Sequence, residues 1–328
     1  MLAQVRRTIE ARELILPGAR VLCACSGGPD SAALLVALAR LAPELGFSVE
    51  VASVDHGLRP DAVRDVAIAG AQAESLGLPF HPLKVQVSPG GSLQAKARAA
   101  RYASLKACAA ALGATRIAVG HTRDDQAETV LLRLLRGSGL RGLGAIDPRR
   151  PDGVVRPLID CDRAEAHQLA RASFREIALD PSNHDPRFER VRIRAHVLPA
   201  LLAEDPRLTS HLADLADEAR EVRSPLRAAA VGLVEHARVP GAEAESLRIS
   251  VLAERPAQLR RAALREWLEQ RGVAPVARAH LLELDHVLLT QRGHVWLPKA
   301  ANVRVVEMEQ GACLLLVLPR MDGPPRTT

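Results

Sequence analysis

No stretch of this chain approaches the ~20 consecutive apolar residues that a membrane span requires, although nearly half of its 328 residues are apolar. The N-terminal segment MLAQVRRTIEARELILPG carries Glu10 and Glu13 in an amphipathic pattern unlike a signal peptide, so the expected location is the cytoplasm, with no membrane partner. Cysteine is scarce too. The five present (Cys23, Cys25, Cys108, Cys161 and Cys313) are scattered and contain no C-x-x-C pair, which argues against a disulfide framework and against a zinc or iron–sulfur site. They read as small core residues. Lysine is scarce as well, four against 40 arginines, and none completes a G-x-x-x-x-G-K string, which excludes a Walker A phosphate loop. The formal charge of +6 is a modest excess that suits a polyanionic partner. Its distribution says more: Arg133, Arg136, Arg141, Arg149, Arg150 and Arg156 share one segment, and Arg187, Arg190, Arg192 and Arg194 another.

What the chain does have is rhythm. After an amphipathic helix over about 2–14, a strand VLCAC leads into a helix from Ser31 to about Leu41, and the alternation repeats: strands at 48–54, 80–87 and 116–120, helices near 62–76, 92–112 and 123–136. Short β-rich runs bounded by Gly, Pro and Asp and separated by 3.6-period segments indicate βαβ units, hence an α/β fold with a parallel sheet covered on both faces. Ligands bind such sheets at the carboxyl ends of the strands. The strings SGGPDS, DHGLR and GHTRDDQAET all follow expected strands, so they should converge on one sheet edge. Past about residue 204 the segments become helical and rich in Ala, Leu, Arg and Glu, with short strands near the end, which sets the expected domains at 1–204 and 205–328.

Each string has an ordinary reading beside a functional one. In SGGPDS, Gly27 and Gly28 allow a tight turn with N–H groups turned toward a ligand, and a helix N-terminus follows, a geometry that binds phosphate. A plain N-cap explains less, because it needs neither two glycines nor a proline. Asp30 is unfavourable beside phosphate unless a divalent cation or an amine lies between. Thr122 and Asp125 fit a capping box, but that does not explain Glu128, which shares the Asp125 face, or His121 just before. Three carboxylates (Asp124, Asp125, Glu128) and a histidine at a strand end suit Mg²⁺ or a cationic substrate. DHGLRPDA could be only a turn, and Arg98, Arg101 and Tyr102 only a solvated face with a boundary residue. Arg190 and Arg194, at i and i+4, repel each other unless an anion is near.

Together these strings carry a resemblance. SGGPDS resembles the signature of the PP-loop ATP pyrophosphatases. DHGLR, GHTRDDQAETVLLRLLRGSGLRGL, VRPLI and DPSNHDPRFERVRIR, in this order, resemble the bacterial tRNA(Ile)-lysidine synthetases closely over about residues 18–200 and loosely beyond. The resemblance implies a PP-loop, Rossmann-like catalytic domain followed by a smaller, mainly helical tRNA-binding domain, in the shorter family architecture. It implies a ligase that uses ATP and Mg²⁺ to adenylate O2 of the wobble cytidine in a CAU-anticodon isoleucine tRNA, after which L-lysine attacks C2 and AMP leaves. By the same resemblance, Ser26, Gly27, Gly28, Pro29, Asp30, Ser31, Asp55, His56 and His121 handle ATP, with Asp30 and Asp124 as metal ligands. Asp30, Asp125, Glu128, Arg190 and Arg194 handle lysine. Asp30, Arg101, Asp125 and Glu128 are the catalytic set, and Arg133, Arg136 and Arg141 face the tRNA. The chain departs from the family at Val191, where Asn is usual. Whether it forms a homodimer, and which acid accepts the lysine proton, stay open.

The rivals are another PP-loop RNA enzyme such as a tRNA thiolase, a glutamine-dependent amidotransferase, and a non-catalytic nucleotide or RNA sensor. A thiolase calls for paired reactive cysteines, whereas Cys23 and Cys25 fall in an expected buried strand. An amidotransferase lacks its glutaminase domain here. A sensor has little use for Asp30, Asp125 and Glu128 gathered at a phosphate end.

Overall fold

A computed structural model describes residues 1–55, 57, 62–86, 93–179, 185–240 and 245–318. The first unit contains α1 (Leu2–Ala11), β1 (Arg20–Ala24), α2 (Pro29–Leu45), β2 (Ser48–Asp55), α3 (Ala62–Ser75), β3 (Phe80–Lys84), α4 (Leu93–Leu112) and β4 (Arg116–Ala118). There follow α5 (Arg123–Leu135), α6 (Leu140–Leu143), β5 (Val154–Val155), α7 (Arg163–Ser173), α8 (Glu189–Arg192), a π-helical turn (Ile193–Val197) and α9 (Leu198–Glu204). The five strands pair in parallel in the order β3-β2-β1-β4-β5. This is the doubly covered α/β sheet that the alternation predicts, with β5 and α7 added.

Strand β1 shows why both faces must be covered. Its side chains alternate, so Val21 and Cys23 join a core built from α1, α2 and α7, while Leu22 faces a second core containing Tyr102, Leu105 and Ala109 of α4. Both Val21 and Leu22 are fully buried. Burial of such a side chain contributes about 1.5–3 kcal/mol, so Leu22→Ala should cost about 2–5 kcal/mol. The four cysteines Cys23, Cys25, Cys161 and Cys313 are buried and Cys108 is partly so, as small core residues should be. A third cluster holds Ala127 and Val130 of α5 against Leu198 of α9. That anchor turns the opposite, acidic face of α5 toward the strand ends.

Packing divides the chain into Met1–Arg220 and Glu221–Thr328, a division that falls within the long helix α10 (Leu208–Ala237). Beyond it lie β6 (Ser246–Arg248), α11 (Ile249–Ala253), α12 (Ala257–Gln270), α13 (Arg278–Thr290), β7 (His294–Trp296), β8 (Asn302–Met308) and β9 (Gly311–Val317). The strands form an antiparallel sheet, β6-β9-β8-β7, over a core centred on the fully buried Trp267. No helix among the described residues is long and apolar enough to cross a membrane.

Candidate active site

The turn after β1 is built for close approach. Gly27 has φ +77, and a Cβ there would stand 2.8 Å from the Asp65 carbonyl oxygen. Any side chain would therefore both strain the backbone and collide with fixed main chain. The Gly27 carbonyl accepts the Ala178 N–H at 2.9 Å and the Gln72 amide at 3.2 Å, which pins the turn. The buried Ser31 hydroxyl donates to the Gly28 carbonyl at 2.9 Å and accepts the Ser26 N–H at 3.1 Å. Gly28 is the N-cap of α2, with Pro29 at its first position and Asp30 in its first turn. At the end of β4 a Cβ on Gly120 would meet the Asp30 carbonyl oxygen at 2.8 Å. Two motifs far apart in sequence thus share one wall.

On α5, Asp125 combines its ordinary and its unusual roles. Its Oδ2 accepts the Thr122 N–H at 2.7 Å, closing the expected capping box. Its Oδ1 accepts from Arg163 at 2.8 Å and Arg190 at 2.9 Å. Glu128, one turn on and fully buried, accepts from Arg163 (2.7 Å) and Arg194 (2.7 Å) at Oε1, and from Arg190 (2.8 Å) and Arg194 (2.9 Å) at Oε2. Three guanidiniums thus enclose two carboxylates. The assembly carries one net positive charge, and it is closed on the Arg163 side (13 % exposed) but open at Arg190 (38 %) and Arg194 (33 %). Burial alone would raise the Asp125 carboxyl, but Arg163 and Arg190 outweigh it, and with His121 and the Thr122 N–H hold it at about 2. The same contest lowers Glu128: burial opposes, while Arg194, Arg163 and Arg190 prevail.

His121 is half-buried at the end of β4. Burial drives its imidazole down to about 3, and the nearby arginines oppose the pull of Asp125. It is therefore neutral near pH 7. Arg156, from VRPLI just past β5, donates through Nε to His121 Nδ1 at 3.3 Å. A guanidinium can only donate, so Nδ1 is the acceptor and Nε2 carries the proton. Arg101 lies on α4, its guanidinium 5.5 Å from the centre of the buried Tyr102 ring, where burial lowers its affinity for a proton.

The remaining sequence candidates are distributed as follows. Asp55 accepts the Gly57 N–H at 2.8 Å, the turn that DHG suggested; His56 lies outside the described residues, as do residues 180–184 of the DPSNHDPRFER string. Asp124 accepts the Arg163 N–H at 2.8 Å through Oδ2, which caps α7. Arg133 donates to the Gly142 carbonyl, and the exposed Arg136 pairs with Glu189. Arg141 sits on α6. Two site residues escape the sequence reading, Arg163 and His167, four apart on α7. Arg163 bridges both acids, and His167 Nε2 meets Asp30 Oδ1 at 3.1 Å. The pattern Asp162-x-x-Glu165, an N-cap followed by an acid three residues on, was the available signal for α7.

No group of three or more His, Cys, Asp or Glu side chains gathers as a metal cage among the described residues. Asp30, a third exposed at the glycine turn, suits the other common mode, in which Mg²⁺ is held by one or two carboxylates together with substrate phosphates.

Comparison with known proteins accords with this geometry. Residues 2–201 match the PP-loop domain family, and residues 247–311 match the TilS substrate binding domain. A tRNA(Ile)-lysidine synthase from Salinispora tropica is 39% identical over 85% of this chain and 85% of its own length. The enzyme of that name from Thermobifida fusca is 38% identical over 92% of this chain and 94% of its own. The one from Thermus thermophilus is 39% identical over 94% of this chain, which spans 59% of that longer protein. Among solved structures, a U34-tRNA thiolase from Methanococcus maripaludis superimposes with a TM-score of 0.56 at 17% identity, covering 67% of this chain and 77% of that one, a likeness of fold alone. Two matched domains in order and relatives of near-equal length together show that the chain belongs to the tRNA(Ile)-lysidine synthase family.

Proposed function

We propose that this protein joins L-lysine to C2 of the wobble cytidine in a CAU-anticodon isoleucine tRNA, with ATP as the activating co-substrate, and so acts as a carbon–nitrogen ligase. The observation that carries the reading is the meeting, at one sheet edge, of a glycine turn without a lysine and an arginine-bound pair of acids. C2 of cytosine is a urea-like carbon whose oxygen leaves poorly. Attack of O2 on the α-phosphate of ATP releases pyrophosphate and converts that oxygen into part of a good leaving group. The lysine ε-amine then forms the C2–N bond as the C2–O2 bond breaks, and AMP departs carrying O2.

In this scheme the N–H groups at Gly27, Gly28 and Ser31, with the Ser26 hydroxyl, cradle the pyrophosphate. Pro29, Asp55, His56 and His121 complete the ATP surroundings, His121 as a neutral Nε2 donor, and Arg101 offsets charge on the phosphates. Mg²⁺, when bound, neutralises phosphate charge beside Asp30; Asp124 would contribute through the oxygen not committed to the Arg163 N–H.

Lysine binding becomes an exchange of ion pairs. The amino groups of the substrate replace Arg190 and Arg194 on Asp125 and Glu128, and the released guanidiniums take its carboxylate. Arg163, on the closed side, keeps both acids ionised and in register throughout. The ε-ammonium, with a reference pKa near 10.4, must lose a proton before it can attack. Asp125 and Glu128 are poor acceptors because Arg163, which bonds both and stays in place, continues to favour their ionised forms. That leaves Asp30, hydrogen-bonded to His167, as the proton acceptor once pyrophosphate has gone. Arg133, Arg136 and Arg141, with residues 205–328, meet the tRNA.

The test is transfer of labelled lysine to a CAU-anticodon isoleucine tRNA transcript in the presence of ATP and Mg²⁺. Acid-stable label on the RNA with AMP release supports the reading. Pyrophosphate release without lysine transfer would point to a different nucleophile. The thiolase alternative has little support, since Cys23 and Cys25 are buried and burial raises both thiols.

A further inference from the structure

On α4, Arg98 is exposed as a solvated face requires and Arg101 is half-buried, but Tyr102, expected at the boundary, lies deeper. Tyr102 is buried, at 8% exposure, and three guanidiniums crowd its ring: Arg98 at 5.2 Å, Arg101 at 5.5 Å and Arg150 at 5.2 Å from the centroid. Arg156 backs the group, its own proton affinity lowered by burial and by repulsion from Arg150 and Arg98. The nearby carboxylates are already divided. Asp152 is shared by Arg150 at 2.6 Å and Lys106 at 2.7 Å, and Asp147 both accepts from Arg156 through its carbonyl oxygen and acts on it through its charge. Cation–π attraction of about 0.5–2 kcal/mol per pair holds each arginine to the ring but does not neutralise it. Like charges drawn this close repel one another, which makes the cluster a ready acceptor for an oxyanion.

We propose that Arg98, Arg150 and Arg156, grouped at Tyr102, form a phosphate site that grips the RNA backbone beside the reacting nucleotide. The identity of the RNA rests on the function proposed above. Two phosphate sources exist in that reaction, ATP and the RNA, and sheet order separates them. The glycine turn that suits a nucleotide's phosphates follows β1, whereas Arg156 follows β5, with β4 between. At ~4.8 Å per strand the two positions lie ~10 Å apart. His121, at the end of β4 and tied to Arg156, stands between them. A phosphodiester held at the arginines therefore leaves the adjoining base free to reach toward the glycine turn. The ring that orders the arginines also spares them the entropy that long, free side chains lose on binding.

Arg98→Gln and Arg150→Gln, singly and together, keep planar side chains against the ring and remove the charge. Binding of the CAU-anticodon isoleucine tRNA transcript is measured across salt concentrations, binding of ATP in parallel, and lysine transfer by the wild-type protein alongside. The expected result for the double variant is tRNA binding weaker by about tenfold or more, with the log–log salt slope smaller by about one to two, and unchanged ATP binding, which also certifies the fold. Unchanged tRNA affinity and slope overturns the proposal, as does loss of ATP binding with tRNA binding intact, which assigns the cluster to the nucleotide. Wild-type protein that binds tRNA in this arginine-dependent way but transfers no lysine would sink the proposed reaction and leave the phosphate site standing.

Discussion

Each unit of the chain buries an arginine–carboxylate arrangement, and the two are built differently. In the second unit, Arg260 (6% exposed) on α12 grips Asp285 on α13 with two nitrogens, Nη2 to Oδ2 at 3.1 Å, and its Nη1 donates to the Ala253 and Arg255 carbonyls at 3.2 and 2.9 Å. Arg261 stands farther off, 3.8 Å from the same carboxylate. Two guanidiniums on one carboxylate also sum to one positive charge, but Arg260 and Asp285 are largely closed to water. In the first unit, three guanidiniums share two carboxylates, the sum is positive, and two of the arginines remain a third open. A buried ion pair that only holds helices together has no reason to keep an open side. One that must trade partners with a charged substrate does. The difference locates chemistry where the pairing is accessible.

The sharpest way to break the comparison is to remove one partner from each. Asp285→Ala strands Arg260 without water and should cost about 3–5 kcal/mol of stability, read by urea unfolding, while folded molecules keep their apparent lysine affinity. Asp125→Asn should behave in the opposite sense. Arg190 can swing into water, so the stability loss is expected to be smaller, about 1–3 kcal/mol, while the apparent lysine affinity falls well beyond any change in ATP binding. Equal lysine affinities for wild type and Asp125→Asn would remove the acid from the lysine site.

Acid should reveal the same asymmetry. The Asp125 carboxyl is held below its unfolded value, so its stabilisation is complete above about pH 4 and is lost as pH falls through about 2. His121 is also depressed, to about 3, so the unfolded chain binds a proton first and stability should decline as pH falls below about 6.5. An unfolding free energy that is flat between pH 7 and 4 would contradict the neutral histidine.

The smallest effects belong to the surface. Arg136→Ala loses an exposed pair with Glu189, worth at most about 1 kcal/mol. Replacing Arg133, Arg136 and Arg141 together by Ala should nevertheless flatten the salt dependence of tRNA binding, by about one unit of slope for each phosphate that is no longer neutralised. An unaltered slope would move that RNA surface elsewhere.

Much of the site was legible because the chemistry sits in the chain just where strands end. SGGPDS and GHTRDDQAET announce themselves by residues that an ordinary turn or cap does not need, and β1 and β4 bring them together through parallel pairing. Arg190 and Arg194 were legible as a repulsive i, i+4 pair that wanted an anion; Glu128 supplies it. Arg163 and His167 were not. RAEAHQLARAS reads as an ordinary amphipathic helix, and its two basic side chains find their acids 35 and 137 residues away. Only the docking of α7 against α2 makes them part of the site. Tyr102 misled in the same way, since Arg150, which meets its ring beside Arg98 and Arg101 of its own helix, comes from the segment before β5.

The central claim is that lysine reaches an adenylated RNA at the Asp125–Glu128 cluster, and a two-stage single-turnover measurement tests it most directly. The protein is incubated with the CAU-anticodon isoleucine tRNA and ATP labelled at the α-phosphate, without lysine, and lysine is added afterwards. The account predicts that label accumulates on the tRNA and is released as AMP only when lysine arrives, and that Asp125→Asn accumulates it but releases it slowly. Label that never joins the RNA, or that Asp125→Asn releases as fast as the wild type does, would contradict it.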